Sequence, residues 1–356
     1  MSKTINMLSE ADIAKGQGVL SAYEELVSLV RKNLSDSFDL KINEVKFADI
    51  MHYHTISFKY YLTLPFTKIK STTVGYVHFL PETLKNSIKL PKFATKVFYK
   101  YVIDFYKSMD FLVTVNPYFI DKLVEYGIDK DKITYIPNYV SSDRFFKIDN
   151  SKKEGIKKEF EIDKNKFVVL CVGQLQKRKG VKDFIEVAKK MPDVQFVWAG
   201  GFSFKQISDG YNELKKVVET PPKNVKFLGI IPREKMNDLY NISDVMFLPS
   251  YEELFPMTVL ESANCNIPIL LRDIELYKGI LDGYYLKGDN NNDFEKEINM
   301  LKNDPEYYNK ASLLSKKCSE YYSEENVAKM WKNYYNRIYS ISSKKNWRKE
   351  KKYGGY

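Results

Sequence analysis

The chain has 356 residues, of which 44% are hydrophobic and 29% are charged, and its formal net charge is +10. This composition is that of a globular protein long enough for two domains, and it excludes an intrinsically disordered chain. The three cysteines are scattered, without a C-x-x-C pair. This argues against a disulfide framework or a zinc site and favours a reducing cytoplasm.

Short apolar runs alternate with helical stretches along the whole chain. In the first half, strands are predicted at 3–9, 49–54, 73–80, 111–116 and 132–137, and a helix at 19–31. In the second half, strands are predicted at 167–172, 194–199, 225–228, 245–248 and 267–271, and helices at 181–190 and 258–263. Such alternation is typical of parallel sheets covered by helices on both faces.

The two series predict two doubly wound, Rossmann-like α/β domains, at residues 1–145 and 146–322. The polar, lysine-rich stretch 144–160 between them is predicted as a linker. The first ten residues lack a basic segment followed by an apolar one, so we expect no signal peptide. No run approaches the roughly 20 apolar residues of a membrane span, so we expect no transmembrane segment.

Two segments carry more than the whole net charge. Residues 59–107 contain nine Lys against Glu82 and Asp104, a net charge of +7. Residues 344–352 contain six basic residues against Glu350, a net charge of +5. Basic residues near an anionic leaflet contribute about 1 kcal/mol each. A helix that starts near Pro91 is predicted to carry the lysines from Lys92 to Lys107 on one side and apolar residues on the other. The predicted membrane-binding residues are Lys89, Lys92, Lys96, Lys100, Lys107 and Trp347.

Another interpretation of both basic segments is an ordinary solvated lysine face and a frayed tail. Nucleic acid is the competing anionic partner. Lys far outnumbers Arg in both segments, and the sequence has no zinc-finger or RNA-module signature. We therefore expect no nucleic-acid partner.

The stretch from 249 to 268 carries the most informative pattern. Glu253 lies in a loop after a predicted strand, and Glu261 lies eight positions later in a helix that starts near Pro256. A helix N-terminus attracts phosphate through its free N–H groups. Carboxylates before and inside that N-terminus could hold hydroxyl groups on either side of a diphosphate. Taken alone, the pair is better explained as a solvated helix cap and a surface glutamate.

The pair gains specificity because it belongs to an ordered series of motifs. The series comprises Gly173-Gln174-Leu175 to Lys179-Gly180, Trp198-Ala199-Gly200-Gly201, Phe227-Leu228-Gly229, Ser243-Asp244-Val245 to Pro249-Ser250, Ser108-Met109-Asp110 to Val113-Thr114-Val115, and Ile136-Pro137-Asn138 to Phe145. Over nearly its whole length the chain thus resembles the retaining, nucleotide-sugar-dependent glycosyltransferases of family 4. The resemblance implies the GT-B fold and a helix at 323–341 that returns to the first domain. The basic residues after that helix predict a basic tail at 342–356.

The resemblance also implies a binding site for a UDP-hexose donor, with no metal required. The donor-binding residues that it implies are Gly16, Gly18, Gly173, Arg178, Lys179, Glu253, Phe255, Met257, Thr258 and Glu261. Glu261 is expected to bind the ribose hydroxyls and Glu253 the donor sugar. Backbone amides in the helix N-terminus are expected to contact sugar or phosphate. Arg178 and Lys179 would neutralise the diphosphate and stabilise the leaving group.

Two positions depart from the family pattern. Gln174 stands where the family often has arginine, and Arg178 is the expected replacement for that cation. Pro256 stands where glycine is usual, which removes one N–H donor. Gly16 and Gly18 form only G-x-G, and a tight-turn role is the alternative there.

All three histidines lie at the carboxyl ends of predicted strands of the first domain, where a crevice is expected. By resemblance, His78 hydrogen-bonds the donor sugar, and the expected catalytic residues are His78, Glu253, Arg178 and Lys179. Whether His78 acts as a base or only binds sugar stays open. His54 is a candidate for contact with the acceptor, and a structural role is an equal alternative for His52 and His54. No carboxylate partner is evident, so a three-histidine metal site is not favoured.

The resemblance implies front-side displacement, with the leaving phosphate helping to deprotonate the acceptor. The segment Val74–Thr83 and the lysines after it are similar to bacterial synthases that add a second hexose to monoglycosyl-diacylglycerol. The expected donor is UDP-glucose or UDP-galactose. The expected partners are a glycolipid acceptor and anionic lipid at the cytoplasmic face of the membrane. The alternatives are a polyprenyl-linked or polysaccharide acceptor, or a basic membrane- or nucleic-acid-binding protein without activity.

Overall fold

The computed structural model describes residues 3–10, 18–81, 92–202 and 210–353; at Gly18, Lys92 and 342–353 it describes the backbone alone. Two six-stranded sheets form the centres of two domains. All neighbouring strands in both sheets run parallel. The predicted α/β class with two Rossmann-like domains is therefore confirmed.

The N-terminal domain is built on the first sheet. Its strands are β1 Lys3–Leu8, β2 Phe38–Ile42, β3 Ile50–Tyr53, β4 Thr72–Val77, β5 Phe111–Thr114 and β6 Ile133–Tyr135. Its helices are α1 Gly18–Asn33, α2 Phe58–Lys70, α3 Lys92–Lys107 and α4 Tyr118–Glu125, with a 3-10 turn at Lys130–Lys132. The strand order is β2-β1-β3-β4-β5-β6. Every residue of β3 and β4 is buried, as expected for strands covered on both faces.

The C-terminal domain is built on the second sheet. Its strands are β7 Val168–Val172, β8 Gln195–Ala199, β9 Val225–Gly229, β10 Val245–Leu248, β11 Ile269–Arg272 and β12 Leu286–Gly288. Its helices are α5 Asn150–Glu159, α6 Val181–Lys190, α7 Tyr211–Glu219, α8 Arg233–Asn241, α9 Met257–Asn264, α10 Glu275–Lys278, α11 Asn291–Asn303 and α12 Pro305–Tyr321. A 3-10 turn spans Lys177–Lys179, and the strand order is β12-β11-β10-β7-β8-β9.

Each strand order reverses once, between β1 and β3 in the first sheet and between β7 and β10 in the second. Open parallel sheets bind ligands beyond the carboxyl ends of the strands at this reversal. His54 follows β3, Gly173 follows β7 and Pro249 follows β10. The topology thus brings segments that the sequence had singled out to the two reversal points.

All ten predicted strands are present, with ends shifted by at most three residues. Three of the elements that the sequence did not predict show why such elements are missed. The predicted linker 144–160 contains α5, which has no buried residue and so no apolar stripe to signal it. Helix α2 contains Pro65 and carries apolar residues on opposite sides, which hides its period. Strand β2 is a short edge strand in which only Phe38 is buried.

The last helix, α13 Glu324–Tyr353, returns from the second domain to the first. The Lys3 ammonium donates to the Asn336 side chain at 2.8 Å, and Arg337 donates to the Thr134 hydroxyl at 2.7 Å. The Trp331 ring lies 5.8 Å from that of Tyr76, between centroids. The expected return of the helix is therefore found, and its backbone continues past 341 as helix through the basic segment. Within the described ranges, no helix is both long and apolar enough to cross a bilayer.

The docking of α13 predicts a stability difference between two adjacent residues. Trp331 is 1% exposed, so Trp331→Ala should lower the free energy of unfolding by about 3–5 kcal/mol. Met330 is 37% exposed, so Met330→Ala should cost much less. Urea unfolding of both variants checks this. Equal losses would contradict the packing of this helix on the first domain.

Candidate functional site

The loops that follow β7 and β10 lie side by side. Gly180 has a left-handed backbone with φ 73°, and a Cβ there would lie 2.3 Å from the carbonyl oxygen of Pro249. Tyr251 donates its N–H to the carbonyl oxygen of Arg178 at 2.8 Å. Only glycine allows this approach, which brings the Gly173–Gly180 segment against the loop that carries Glu253.

A buried ion pair joins the two loops. The Lys179 ammonium donates to Oε1 of Glu253, and the two side chains are 12% and 6% exposed. Gly173 lies beside the lysine stem, and a Cβ built there would be in ordinary contact with Cδ of Lys179, at 3.7 Å. The sequence placed all three residues in the donor site, and the structure brings them together.

The charges of this pair depend on each other. Burial alone would raise the pKa of Glu253, but the cations of Lys179 and Arg178 outweigh it and hold that pKa below its ordinary value. Burial lowers the pKa of the Lys179 ammonium, against the attraction of Glu253. The opposite charge of each group therefore offsets the cost of burying the other.

Arg178 is fixed by hydrogen bonds within the same region. Its Nε donates to the Gln176 side chain at 2.9 Å, and its Nη1 donates to the carbonyl oxygen of Glu252 at 3.1 Å. Gln176 in turn donates to the Gln174 side chain at 2.9 Å. A chain of side chains therefore links Arg178 to position 174, where the family often has arginine.

Helix α9 begins between the two glutamates of the predicted site. Pro256 precedes it without a capping side chain, so the N–H groups of Met257 and Thr258 lack an intrahelical acceptor. Phe255 and Met257 are buried, and the hydroxyl of Thr258 is buried without a hydrogen-bond partner. This helix N-terminus has the properties that favour an anion.

Glu261 lies on α9 and is buried. It accepts hydrogen bonds from the Tyr240 hydroxyl at 2.6 Å and from Nη1 of Arg233 at 3.0 Å. Burial and the Glu261 charge raise the pKa of Tyr240 well above its ordinary value, so its hydroxyl stays a donor. Glu253 and Glu261 thus have different cationic partners.

Arg233 spans the two domains, and sequence reasoning missed it. Its Nη2 donates to Oε1 of Glu25 at 2.8 Å, and its Nη1 donates to the Ser21 hydroxyl at 3.1 Å, both on α1. Glu25 is 1% exposed. Arg233 and Glu25 are 208 positions apart, so no local pattern could have paired them.

Asn116 is a second missed contact between the domains. Its side-chain amide follows β5 and donates to the carbonyl oxygens of Leu254 and Leu276 at 3.0 and 2.9 Å. It is fully buried. The loop that carries Glu253 is therefore held from the first domain as well as from the second.

The three histidines form one buried cluster at the carboxyl ends of β3 and β4. The rings of His54 and His78 lie 6.2 Å apart between centroids, and the ring of Tyr76 lies 4.3 Å from that of His78. Nδ1 of His52 lies 2.9 Å from the Tyr335 hydroxyl of α13. Of the two interpretations kept open for His52, the structural one fits this contact.

Burial sets the protonation of these rings. It lowers the pKa of His52 and of His78 to about 3, and a neighbouring ring adds to the effect at His52. Burial and the other two histidines lower the pKa of His54 well below its ordinary value. All three are neutral near pH 7, and no group of His, Cys, Asp and Glu within the described ranges forms a metal-binding cluster.

Some predicted residues lie elsewhere or outside the description. Gly16 and Lys89 lie outside the described residues. Gly18 begins α1, Lys92 begins α3 and Trp347 lies on α13, and at these three positions only the backbone is described. The remaining predicted membrane-binding lysines, all exposed on α3, are Lys96, Lys100 and Lys107.

A cavity of about 330 Å³ lies between the domains beside the ion pair. Leu80, Tyr118 and Phe119 line it from the first domain. Glu253 and Leu254 line it from the second. The cavity therefore has the carboxylate of the buried pair in one wall.

Comparisons with known proteins agree with this geometry. Residues 152–317 match the family model "Glycosyl transferases group 1", and residues 32–144 match "Glycosyltransferase Family 4". The chain is 42% identical, over 96% of its length and 91% of the relative, to the alpha-galactosylglucosyldiacylglycerol synthase of Streptococcus pneumoniae. The chain belongs to the family-4 glycosyltransferases.

Two further likenesses extend this result. The glycosyltransferase is 30% identical to the processive diacylglycerol alpha-glucosyltransferase of Acholeplasma laidlawii, over 64% of this chain and 68% of that protein. Its fold matches that of Anabaena HepE, solved with UDP-glucose, with a TM-score of 0.76 at 14% identity, covering 94% of this chain and 99% of that one. The predicted GT-B architecture and transferase class are confirmed.

The buried histidines predict a specific pH dependence of stability. Between about pH 5 and 6.5 the unfolded chain binds protons on its histidines while the folded chain does not, so stability falls as pH falls. The limit is about 1.4 kcal/mol per pH unit for each fully neutral histidine. Urea unfolding across this range checks the slope, and His78→Asn should make it shallower. A flat wild-type profile would contradict burial of neutral rings.

Proposed function

We propose that this glycosyltransferase moves a hexose from a UDP-hexose to a monoglycosyl-diacylglycerol, with retention of configuration, and so makes a diglycosyl-diacylglycerol. The 42% identity along nearly the whole of both chains supports the acceptor class. The name of that relative favours galactose as the transferred sugar, and glucose is the alternative.

The buried pair of Lys179 and Glu253 is the observation that best supports the chemistry. It lies beyond the carboxyl ends of β7 and β10, and Glu253 stands four positions before α9 begins. We assign the diphosphate to Lys179, Arg178 and this helix N-terminus, and the donor sugar to Glu253. These cations and the helix dipole would stabilise the leaving diphosphate without a metal.

Glu261 is assigned to the ribose hydroxyls. It is 4% exposed and shares Arg233 with Glu25 of the other domain. A ribose that hydrogen-bonds to Glu261 would therefore change the contacts of Arg233, which bridges the cleft. This arrangement suits an enzyme whose two domains close on the donor.

His78 is assigned to a hydroxyl of the donor sugar as a neutral hydrogen-bonding group. Its pKa of about 3 opposes the role of general base, because a good base has a pKa close to the working pH. Of the two possible roles of His78, base and sugar binding, we therefore propose sugar binding. His54, beside it, is proposed to support the acceptor side.

The reaction follows from these assignments. The bond between the anomeric carbon and the β-phosphate oxygen breaks, and the acceptor oxygen bonds to that carbon from the same face. The acceptor proton passes to the leaving phosphate oxygen, so UDP leaves with the electron pair of the broken bond. The cavity between Glu253 and Leu80 is the proposed place for the acceptor sugar.

We place the enzyme peripherally on the cytoplasmic face of the membrane, because its proposed acceptor is a bilayer lipid. The exposed residues Lys96, Lys100 and Lys107 would face anionic headgroups. The three cysteines are buried free thiols, which suits a reducing compartment.

Removing the buried ammonium should slow turnover strongly. Lys179→Met should lower kcat/KM at least a hundredfold, because removing one group that stabilises charge in the transition state typically slows a reaction by about that factor. The control is Lys177→Met in the same turn, since Lys177 is 45% exposed and pairs with Glu213. Steady-state kinetics of UDP release check this, and normal rates in the Lys179 variant would refute the assignment.

The acceptor is tested with radiolabelled UDP-galactose and UDP-glucose. Vesicles with and without monoglucosyl-diacylglycerol are incubated with the enzyme, and the lipids are separated by thin-layer chromatography. We expect labelled diglycosyl lipid only when the acceptor is present, with UDP-galactose preferred. Label that appears only with polyprenyl-linked or soluble acceptors would overturn the lipid assignment and leave the transferase class intact.

A further inference from the structure

Helix α2 has apolar side chains on two opposite sides. Tyr60, Leu64 and Thr67 are buried against the first domain. At helical spacing on the other side are four side chains that we call the α2 apolar face. They are Phe58, Leu62, Phe66 and Ile69, which are 63%, 59%, 68% and 64% exposed. Helices of water-soluble domains usually place polar residues on this outer side.

The α2 apolar face continues onto α3. The ring of Phe58 lies 6.1 Å from that of Tyr101, between centroids, and the Tyr101 hydroxyl donates to the carbonyl oxygen of Ile56 at 2.8 Å. Phe93 and Val97 precede Tyr101 by two turns and one turn on the same side of α3, and they are 80% and 55% exposed. The two helices thus present one apolar surface.

This surface is unusual within the described part of the molecule. Six of the sixteen large apolar side chains that are exposed there belong to it. Single exposed apolar residues are ordinary on protein surfaces, but a contiguous group of them marks an interaction site.

Lysines surround the surface. On a helical wheel, Lys59 and Lys70 flank one side of the α2 apolar face and Lys68 flanks the other. On α3, the exposed Lys96 and Lys100 lie next to Phe93 and Val97.

Few acids oppose these lysines. Asp110 lies 3.7 Å from Lys68, and the half-buried Asp104 lies on α3. Two copies of so basic a surface would repel each other, whereas an anionic bilayer offers apolar chains below negative headgroups.

We propose that the α2 apolar face, with Phe93 and Val97, inserts into the headgroup and upper acyl region of an anionic leaflet. The flanking lysine stems extend towards the phosphates. The sequence predicted only a basic contact on α3, and this proposal adds an inserted apolar surface on α2. It deepens the proposed function and rests on it for the acceptor lipid. Helix α2 begins four positions after His54, so insertion would hold the bilayer near the cleft.

The test uses the full chain and vesicles of phosphatidylglycerol and phosphatidylcholine. The apolar-face variant combines Leu62→Ser, Phe66→Ser and Ile69→Ser. Its partition coefficient in vesicle flotation should fall at least a hundredfold, because each side chain contributes up to about tenfold. The matched control is Leu313→Ser on α12, where Leu313 is 56% exposed. Its binding should equal that of wild type.

A second measurement reports insertion directly. The fluorescence gained by Phe66→Trp should be quenched by brominated acyl chains, and that gained by Leu313→Trp should not. Unchanged flotation of the apolar-face variant, or no quenching at position 66, would overturn the proposal. A third result would also overturn it. If wild type sediments as a dimer and the apolar-face variant sediments as a monomer that still binds vesicles, the face joins two copies of the chain.

Activity separates this proposal from the proposed function. On acceptor dispersed in detergent, the apolar-face variant should keep wild-type turnover, while on vesicles it should lose it. If wild type binds vesicles through this face but glycosylates no diacylglycerol lipid, the proposed acceptor fails and the insertion stands. If wild type and the apolar-face variant glycosylate the lipid equally on vesicles, the insertion proposal is wrong and the proposed acceptor is supported.

Discussion

The ion pair of Lys179 and Glu253 is the interaction on which the site depends. Removing two charges from water costs several kcal/mol per ion, so such a pair persists only where the fold holds both groups in place. Here the reversal of strand order brings the loops after β7 and β10 together, and Gly180 lets their backbones touch. The result is a largely buried cation beside a carboxylate, in the region where we propose that the diphosphate binds.

The two domains are joined by contacts of two kinds. On one side, the large buried rings of α13 pack on β3 and β4 of the first domain, and Trp331 is 1% exposed there. In the cleft, Arg233 and Asn116 bridge the domains through hydrogen bonds. Apolar packing has no hydrogen-bond partner to exchange, whereas polar bridges can exchange partners with a ligand. The arrangement separates a permanent joint from an adjustable one.

The proposed membrane-binding surface on α2 and α3 shows how local sequence signals can mislead. The lysines of α3 were visible in the sequence because they repeat on one side of a helix and oppose apolar residues. Helix α2 gave no such signal, because its sequence contains Pro65, which is unusual inside a helix, and because apolar residues occur on both of its sides. Only the fold shows that Tyr60 and Leu64 are buried while Leu62 and Phe66 are left outside. The exposure of a side chain depends on which other parts of the fold pack against it. The sequence of one helix does not contain this information.

The sequence by itself determined the parallel strands, the two-domain architecture and the segments that carry Lys179, Glu253 and Glu261. Buried parallel strands are short apolar runs, and motif spacing within a loop is local, so both are legible along the chain. Tertiary structure decided which carboxylate pairs with which cation. Glu253 lies 74 positions from Lys179, and Arg233 lies 208 positions from Glu25. Such partners meet only through sheet topology and domain packing, because no periodicity or propensity acts over that distance.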